Sequence, residues 1–369
     1  MDQREWTPGK REQGCVRTLG VEEEFLLLDP ESGRPRALGG AVLALSGETE
    51  LTGELQREQI ETETRPCRDL DDLARQLRQA RVAAAEAARA AGAELAAVGT
   101  SPVPVEPTLS PSPRYAEMAE RFGLTVSEQL TCGQHVHIAV DSPEEGVAAL
   151  DRIRPWLPAL LALSANSPFW HGEDSRYASY RNRVWSRWPS AGPYGPFGTP
   201  AAYRATVDTM LATGTVVDEG MVYFDARLAR LHPTVELRVP DVCLRVEDAV
   251  LVAALARALV ETALAVAAPF DPVRTEVLRL ATWRAARSGT SGALLDPGTW
   301  REAPAADVLR ALLAHVTPAL ERAGDRERVE DLLGAVLARG TGADAQRATF
   351  ARTGDLAAVA LGAAAATTT

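Results

Sequence analysis

Four segments of the chain alternate polar and apolar residues in the way that a half-buried β-strand does. The polar residues of each segment lie two positions apart, so they share one face of a strand. The segments span residues 16–28, 58–65, 134–140 and 234–239. Glu23 lies on the apolar face of the first segment, where we expect a lone charge. The polar faces carry Glu22 and Glu24, then Gln59, Glu61 and Glu63, then His135 and His137, and finally Thr234, Glu236 and Arg238.

Helical patterns separate these strands. Residues 69–92 begin with acidic side chains, place leucines and alanines along one stripe and end at a glycine, which predicts an amphipathic helix. Residues 94–100 are strand-like, and the five prolines of residues 101–113 predict a loop. Further helices are predicted at residues 144–164, 200–213, 246–267, 304–323 and 325–339.

The segment from Phe169 to Tyr203 differs in kind, because it holds 9 of the 20 aromatic residues in 35 positions. Arginines, prolines and glycines are interleaved with the aromatic rings. A long loop of this composition is more often a binding surface or a lid than a plain connection. Core packing of most of the rings is an equally reasonable reading, and the arginines are the better binding candidates.

The spread of the polar strand faces predicts the domain organisation. Because they extend over most of the chain, a boundary between them would divide the site, so we predict a single catalytic domain over residues 16–360. We expect a disordered lead-in at residues 1–15 and a frayed tail at residues 361–369. The most apolar stretch, residues 249–269, contains two charged residues and is typical of a buried helix, not of a membrane span.

A sheet formed by the four strands would gather many carboxylates and two histidines on one face. That much like charge is unfavourable unless cations neutralise it. Carboxylate and imidazole ligands suit hard divalent ions such as Mg²⁺ or Mn²⁺. For any one strand alone, the simpler reading is the solvated face of an antiparallel sheet. Four strands that repeat the same pairing favour a site.

The composition narrows the chemistry further. Lys10 is the one lysine among 39 basic residues, and it lies in the polar lead-in. A phosphate-binding loop, a pyridoxal Schiff base and a protein kinase each need a lysine that this position cannot supply. Phosphate groups would therefore be held by metal ions, arginine or backbone amides.

Charge and cysteine content bear on the partners and the cellular compartment of the protein. The net charge of -11 and the pI of about 5.1 argue against nucleic acid as a partner. The four cysteines are scattered without C-x-x-C spacing, and the leader has no apolar signal core. Both features are typical of a cytoplasmic protein that has no membrane partner.

Several blocks of the sequence occur in an order that is typical of one known family: TLGVEEEFLLLD, CGQHVHIAV, ANSPFWHGEDSRYASYRNRVWSRWP, TVELRVPDVCL and WRAARSGTSGALLDP. Over roughly residues 16–355 the chain resembles the carboxylate-amine ligases, commonly labelled glutamate-cysteine ligase type 2, of the glutamine synthetase and glutamate-cysteine ligase superfamily. The resemblance implies an α+β fold with a glutamine-synthetase-like catalytic core. In this fold a curved, largely antiparallel sheet carries helices on its outer face.

The same resemblance implies an activity. Family members use ATP, with Mg²⁺ or Mn²⁺, to join a carboxylate such as the γ-carboxyl of glutamate to an amine such as that of cysteine. An acyl phosphate would be the intermediate. We expect small-molecule substrates and a homodimer.

The family's motifs fall on residues that the strand alternation had already selected. Arg238, in the E-x-R strand, would steady the transferring phosphoryl group. Glu54 is a looser match to an upstream acid, and either Glu54 or Glu63 would accept a proton from the amine. The implied metal ligands are Glu22, Glu24, Glu61, His135 and Glu236.

Substrate-binding residues are implied less directly. Arg181 or, less well, Arg183 matches the arginine that would hold the glutamate carboxylate. His137 and Glu63 lie on the polar strand faces, and we expect them to contact substrate.

Departures from the family pattern occur at Gln134, Ala139 and His171, and they leave the amine acceptor open between cysteine and an unusual amine. Two other function classes also stay open. One is a metal-dependent hydrolase that uses the His-x-His strand, and the other is a non-catalytic module that binds Mg-ATP.

Overall fold

A computed structural model describes residues 16–47, 51–266 and 272–369 of the chain. The predicted lead-in, residues 1–15, lies outside the described residues. Within the described part, strands β1 to β11 span, in order, Leu19–Leu28, Leu51–Gly53, Gln59–Glu63, Glu94–Ala96, Gln134–Ala139, Phe169–Trp170, Glu173–Asp174, Ala226–Leu228, Thr234–Leu237, Ala293–Leu295 and Glu302–Pro304.

The α-helices of the described part, α1 to α14, span, in order, Gly39–Leu45, Leu70–Ala90, Pro113–Phe122, Leu124–Ser127, Pro143–Ile153, Leu157–Ser164, Arg181–Trp185, Pro200–Ala212, Val246–Ala265, Thr275–Ser288, Ala305–Ala323, Arg326–Arg339, Gly342–Thr353 and Leu356–Thr367. None of these helices is long and apolar enough to cross a membrane. The predicted helix at residues 144–164 is divided into α5 and α6 by a 3₁₀ turn, Arg154–Trp156, that contains Pro155.

The main sheet of the described part has seven strands in the order β2-β3-β1-β5-β9-β8, with β4 also paired to β1. Every pairing in it is antiparallel. The four strands that the alternation predicted are therefore neighbours, in the order β3, β1, β5 and β9. The fold class expected from the family resemblance is confirmed.

The apolar face of the sheet packs against helices. Phe25, Val136 and Leu237 are fully buried on it. Helix α9 is buried on nearly all sides and contacts β1, β5 and the helices α2, α5, α11 and α12. A helix that is apolar all round is stable only when other elements cover it on every side. The helices thus form an outer layer, and the opposite face of the sheet is left for polar side chains. The single domain over residues 16–360 stays a prediction.

Glu23 is not a lone charge, so that expectation was wrong. Its carboxylate accepts two hydrogen bonds from Arg81 of helix α2, from Nε at 2.9 Å and from Nη2 at 2.6 Å. Both side chains are 0% exposed. Arg81 also donates to the backbone carbonyls of Cys243, Leu244 and Thr367. The pair is stable in the interior because the charges neutralise each other and the remaining donors have partners.

The frayed tail predicted at residues 361–369 is also wrong for most of its length. Helix α14 continues to Thr367, and its alanines pack against β1 and β4. The Thr367 hydroxyl accepts a hydrogen bond from the Ala97 N–H at 2.9 Å. A run of alanine has high helix propensity and small side chains, so it can lie close to a sheet. The sequence predicted a frayed end because the surface that covers these residues lies far away along the chain.

Candidate active site

A cavity of about 360 Å³ lies over the polar face of the main sheet. Nine of the predicted site residues line it: Glu22, Glu24, Glu54, Glu61, Glu63, His135, His137, Glu236 and Arg238. The cross-strand register explains why they meet. Glu24 lies opposite Glu61, Glu22 lies opposite both Glu63 and His135, and His137 lies opposite Glu236. Directly opposed residues of antiparallel strands have neighbouring side chains.

One group of possible metal ligands consists of Glu22, His137 and Glu236. One ligand atom from each lies within 4.8 Å of the others. The His137 ring is oriented by Thr234, whose hydroxyl lies 2.9 Å from Nδ1, while Nε2 lies 3.1 Å from a Glu22 oxygen. His137 was predicted to contact substrate, but its position equally suits a ligand.

A second group consists of Glu24, Glu54 and Glu61, again with oxygens within 4.8 Å of one another. Burial, and then repulsion from Glu54, raise the pKa values of the Glu24 and Glu61 carboxyls. Burial and mutual repulsion thus disfavour the ionised forms, and a bound cation would offset both effects. Glu54, predicted as a proton acceptor, thus lies among the possible ligands.

His135 lies between the two groups. Its Nδ1 is 3.0 Å from Glu22 Oε2, and its Nε2 is 3.8 Å from Glu24 Oε1. Within the described part of the chain, the buried Nε2 atom has no hydrogen-bond partner. Burial, followed by the nearby Arg238, lowers the pKa of His135, which favours the neutral ring that a metal requires.

Crowded carboxylates and an unpartnered imidazole nitrogen fit a hard divalent cation such as Mg²⁺ or Mn²⁺. The free thiols of Cys67, Cys132 and Cys243 are all buried, and none of them is in either group. The donor set is therefore one of oxygen and nitrogen atoms.

Glu236 differs from the other carboxylates because two arginines bind it. Arg227 Nε donates to Glu236 Oε2 at 2.7 Å and Nη2 donates to Oε1 at 3.2 Å. Arg238 also donates to Oε1. Burial alone would raise the pKa of Glu236, but Arg238 and Arg227 outweigh it and hold that pKa well below its usual range.

Sequence reasoning missed Arg227. It lies on the three-residue strand β8, directly opposite Glu236. A strand of three residues is too short to show a repeat of period two, so the alternation that identified the other strands could not identify this one.

The two arginines that were expected to hold the acid substrate do not line the cavity. Arg181 is buried behind Gly133, where a Cβ atom would lie 2.1 Å from its Nη2 atom. Its Nη1 atom is 3.9 Å from Asp241. Arg183 instead lies at a separate surface depression, beside Tyr177. The structure thus brings neither guanidinium to the cavity wall.

Arg114, another residue that sequence reasoning missed, does line the cavity. Asp218 accepts hydrogen bonds from its Nε at 2.5 Å and its Nη2 at 3.0 Å, which fixes the guanidinium. It lies at the start of helix α3, which begins at the last proline of the predicted loop. The pairing joins residues 104 positions apart, so no local pattern could reveal it.

The aromatic segment serves several purposes. Trp185 and Trp188 line the cavity beside Tyr223, whereas Tyr177 and Tyr180 border the separate depression. The rings of Tyr194 and Tyr203 pack in the main apolar core. The segment is thus part cavity wall and part core, and its role as a lid stays a prediction.

An open antiparallel sheet with a cavity of paired carboxylates and arginines is typical of a site that binds small charged molecules. The chain belongs to glutamate-cysteine ligase family 2 (GCS2), whose sequence profile matches residues 18–361. It is therefore a ligase that forms C–N bonds.

Named relatives agree with this membership, and a solved structure shares the fold. The chain is 52% identical over 349 residues to the Streptomyces coelicolor protein named "Putative glutamate--cysteine ligase 2", with 92% of this chain and 96% of that protein covered. It is 52% identical over 350 residues to "Putative glutamate--cysteine ligase 2-1" of Streptomyces avermitilis, with coverage of 92% and 96%. Its fold is similar to the glutamate-cysteine ligase of Francisella tularensis solved with AMP. The TM-score is 0.70 at 14% identity, over 98% of this chain and 89% of that one.

Proposed function

We propose that this protein uses ATP to form an amide between the γ-carboxyl of glutamate, or of a similar acid, and an amino acid or amine. The observation that carries the proposal is that both groups of possible metal ligands line one cavity together with Arg227 and Arg238. Such a site can hold a metal nucleotide without a lysine. The family membership supports the same reaction class.

The reaction would run in two steps. First, a carboxylate oxygen of the acid bonds to the γ-phosphorus of ATP, the bond from that phosphorus to the bridging oxygen breaks, and ADP leaves. Second, the amine nitrogen bonds to the acyl carbon, the bond from that carbon to the phosphate oxygen breaks, and phosphate leaves. One proton of the amine must be accepted during the second step.

We propose that Glu22, Glu24, Glu61, His135 and Glu236 hold Mg²⁺ or Mn²⁺, and that His137 and Glu54 join them, because these two lie within the same ligand groups. A bound divalent cation screens the repulsion between the substrate carboxylate and the phosphates of ATP. With Glu54 engaged in this way, Glu63 is the carboxylate better placed to accept the amine proton, since it lines the cavity but lies outside both groups.

The other residues of the cavity would orient the substrates. Arg238 would stabilise charge on the transferring phosphoryl group. Arg114, held by Asp218, faces the cavity, so we propose that it binds a substrate carboxylate in place of Arg181 or Arg183. Trp185 and Trp188 would keep water away from the acyl phosphate.

The departures at Gln134, Ala139 and His171 bear on the acceptor only indirectly, because none of these residues lines the cavity. Gln134 donates to the Ala249 carbonyl on the helix side of the sheet. The acceptor would instead be selected by the cavity wall itself, where Tyr115, Met118, Gln129 and Thr131 lie.

The competing functions have less support. A hydrolase built on the His-x-His strand would need more histidine ligands, and His315 stacks on Trp156 away from the cavity. His232 lines the cavity, with its ring centroid 6.1 Å from that of His137, but it belongs to neither ligand group. Membership in a ligase family favours amide formation over hydrolysis.

The test incubates the purified protein with Mg²⁺, ATP, glutamate and a panel of amines, and follows ADP and new masses. We expect one acid and amine pair to release ADP and to give an amide. Glu61→Gln should abolish product formation, whereas Glu86→Gln, which removes an exposed carboxylate of helix α2, should not. If no pair releases ADP with the wild-type protein, the ligase proposal fails.

We also propose, from the sequence and the family, that the enzyme is a homodimer of the reducing cytoplasm. The buried free thiols of Cys67, Cys132 and Cys243 support the reducing compartment. Sedimentation of the purified protein would test the dimer.

A further inference from the structure

Glu236 has two kinds of possible partner that compete for its carboxylate: a divalent cation and two arginines. It belongs to a possible cation site with Glu22 and His137. In the same structure, its two oxygens accept hydrogen bonds from Arg227 and Arg238, and its side chain is only 3% exposed. A divalent cation placed at this carboxylate would lie beside two guanidinium charges with little water to screen them.

Arg227 has contacts that do not depend on Glu236. Its Nη1 atom donates to the backbone carbonyls of Gly220, at 3.2 Å, and Val222, at 3.0 Å. These bonds hold the guanidinium at the cavity wall even when the carboxylate is taken by another cation. Because Arg227 lines the cavity, its charge then faces whatever anion enters.

Arg238 is also held independently of Glu236. Its guanidinium carbon lies 5.7 Å from the ring centroid of Trp185 and 5.8 Å from that of Tyr223. Aromatic faces at such distances stabilise a cation. Both arginines can therefore release Glu236 without leaving the cavity.

We propose that Arg227, together with Arg238, neutralises Glu236 while the cation site is empty and turns to the nucleotide phosphates when a divalent ion binds. This inference rests on the proposed function, since it assumes a metal nucleotide in the cavity. Arg227 thereby opposes the binding of the metal alone and favours the binding of metal and nucleotide together. Two ligands that each displace the same internal contact bind with positive coupling.

The test measures binding of Mn²⁺ alone to the full-length protein, by electron paramagnetic resonance of the free ion. We expect Arg227→Met to bind Mn²⁺ more tightly than the wild type by roughly fivefold or more, a typical size for coupling between sites. The sign is informative, because an arginine that only held the cation site in shape would weaken Mn²⁺ binding when removed.

The matched control is Arg114→Met, which removes one positive charge from the same cavity but pairs with Asp218 and not with Glu236. It corrects for the general effect of charge on cation affinity. Equal tightening in Arg114→Met and Arg227→Met would overturn the proposal, as would weaker or unchanged Mn²⁺ binding in Arg227→Met.

A second measurement repeats the titration with a non-hydrolysable ATP analogue. The analogue should raise Mn²⁺ affinity by a smaller factor in Arg227→Met than in the wild type, and an equal factor would overturn the proposal. Arg227→Gln keeps donors for the Gly220 and Val222 carbonyls, and the same result is expected of it if the methionine variant does not fold.

These results are separable from those of the amide assay. If the wild type forms an amide but Arg227→Met shows no tightening, only the role of Arg227 fails. If the wild type binds no Mn²⁺ at all, the present inference fails, and the amide assay still decides on the ligase reaction.

Discussion

The buried pair of Glu23 and Arg81 allows a sharp prediction about stability. Each side chain is 0% exposed, and removal of one partner leaves the other charge without compensation in the interior. Such a loss costs about 3–5 kcal/mol. We expect Glu23→Gln to lower the free energy of unfolding by this amount. Arg81→Met should cost at least as much, because it also removes the donor from the carbonyls of Cys243, Leu244 and Thr367.

The double variant separates the charge from the hydrogen bonds. Glu23→Gln with Arg81→Met leaves no buried charge, so the remaining cost is that of neutral groups without partners: three backbone carbonyls, at about 1 kcal/mol each, and the new amide at position 23. The double variant should therefore be more stable than Arg81→Met alone, and the cycle should show a coupling of at least about 3 kcal/mol. Equilibrium unfolding in urea, followed by circular dichroism, measures all four proteins.

Arg75→Met is the control, because Arg75 lies on the same helix and pairs with Asp72 at the surface, where the two side chains are 61% and 35% exposed. We expect a change within about 1 kcal/mol. If the effects of Glu23→Gln and Arg81→Met are simply additive, the reasoning about compensation of buried charge is wrong.

Three further predictions concern the tail, the substrate and pH. Removal of residues 361–369 should lower the free energy of unfolding by at least about 2 kcal/mol, because the Ala97 N–H loses its buried acceptor, and an unchanged urea midpoint would contradict this. Arg114→Met should raise KM for the acid roughly tenfold or more with nucleotide affinity kept, since a charge-assisted bond is lost. Arg121→Met, on the same helix but paired with Glu117, should not, and equal losses in both variants would rule out the assignment. Mn²⁺ affinity should fall as pH drops while ordinary carboxylates are still ionised, because protons compete for Glu24 and Glu61, whose pKa values are raised by burial and by repulsion from Glu54. Mn²⁺ titrations at several pH values test this, and an affinity that stays constant over the range would contradict the prediction.

The sequence predicted the central strands well because a half-buried strand repeats every two residues. Glu22, Glu24, Glu61, His135 and Glu236 could be identified from that repeat, and adjacent strands brought them together. Strand β8 was too short to show any repeat, so Arg227 could not be identified in this way.

Long-range pairings could not be predicted at all. Glu23 pairs with Arg81, which lies 58 positions further along the chain, and Arg114 pairs with Asp218, which lies 104 positions further along. Helix α14 was mistaken for a frayed end because its stability comes from packing on β1 and β4, not from its own periodicity. In each case the missing information was the identity of the surface that the folded chain places opposite the residue.

The three consecutive carboxylates of strand β1 have a consequence for how the chain assembles. Glu22 and Glu24 face the cavity, while Glu23 faces Arg81 on the other side of the sheet. A shift of this strand by one residue would turn both Glu22 and Glu24 into the helix layer, where Arg81 could neutralise only one of them. The second buried carboxylate would destabilise the misaligned strand, so a chain that folds stably is also one whose cavity carboxylates are correctly placed.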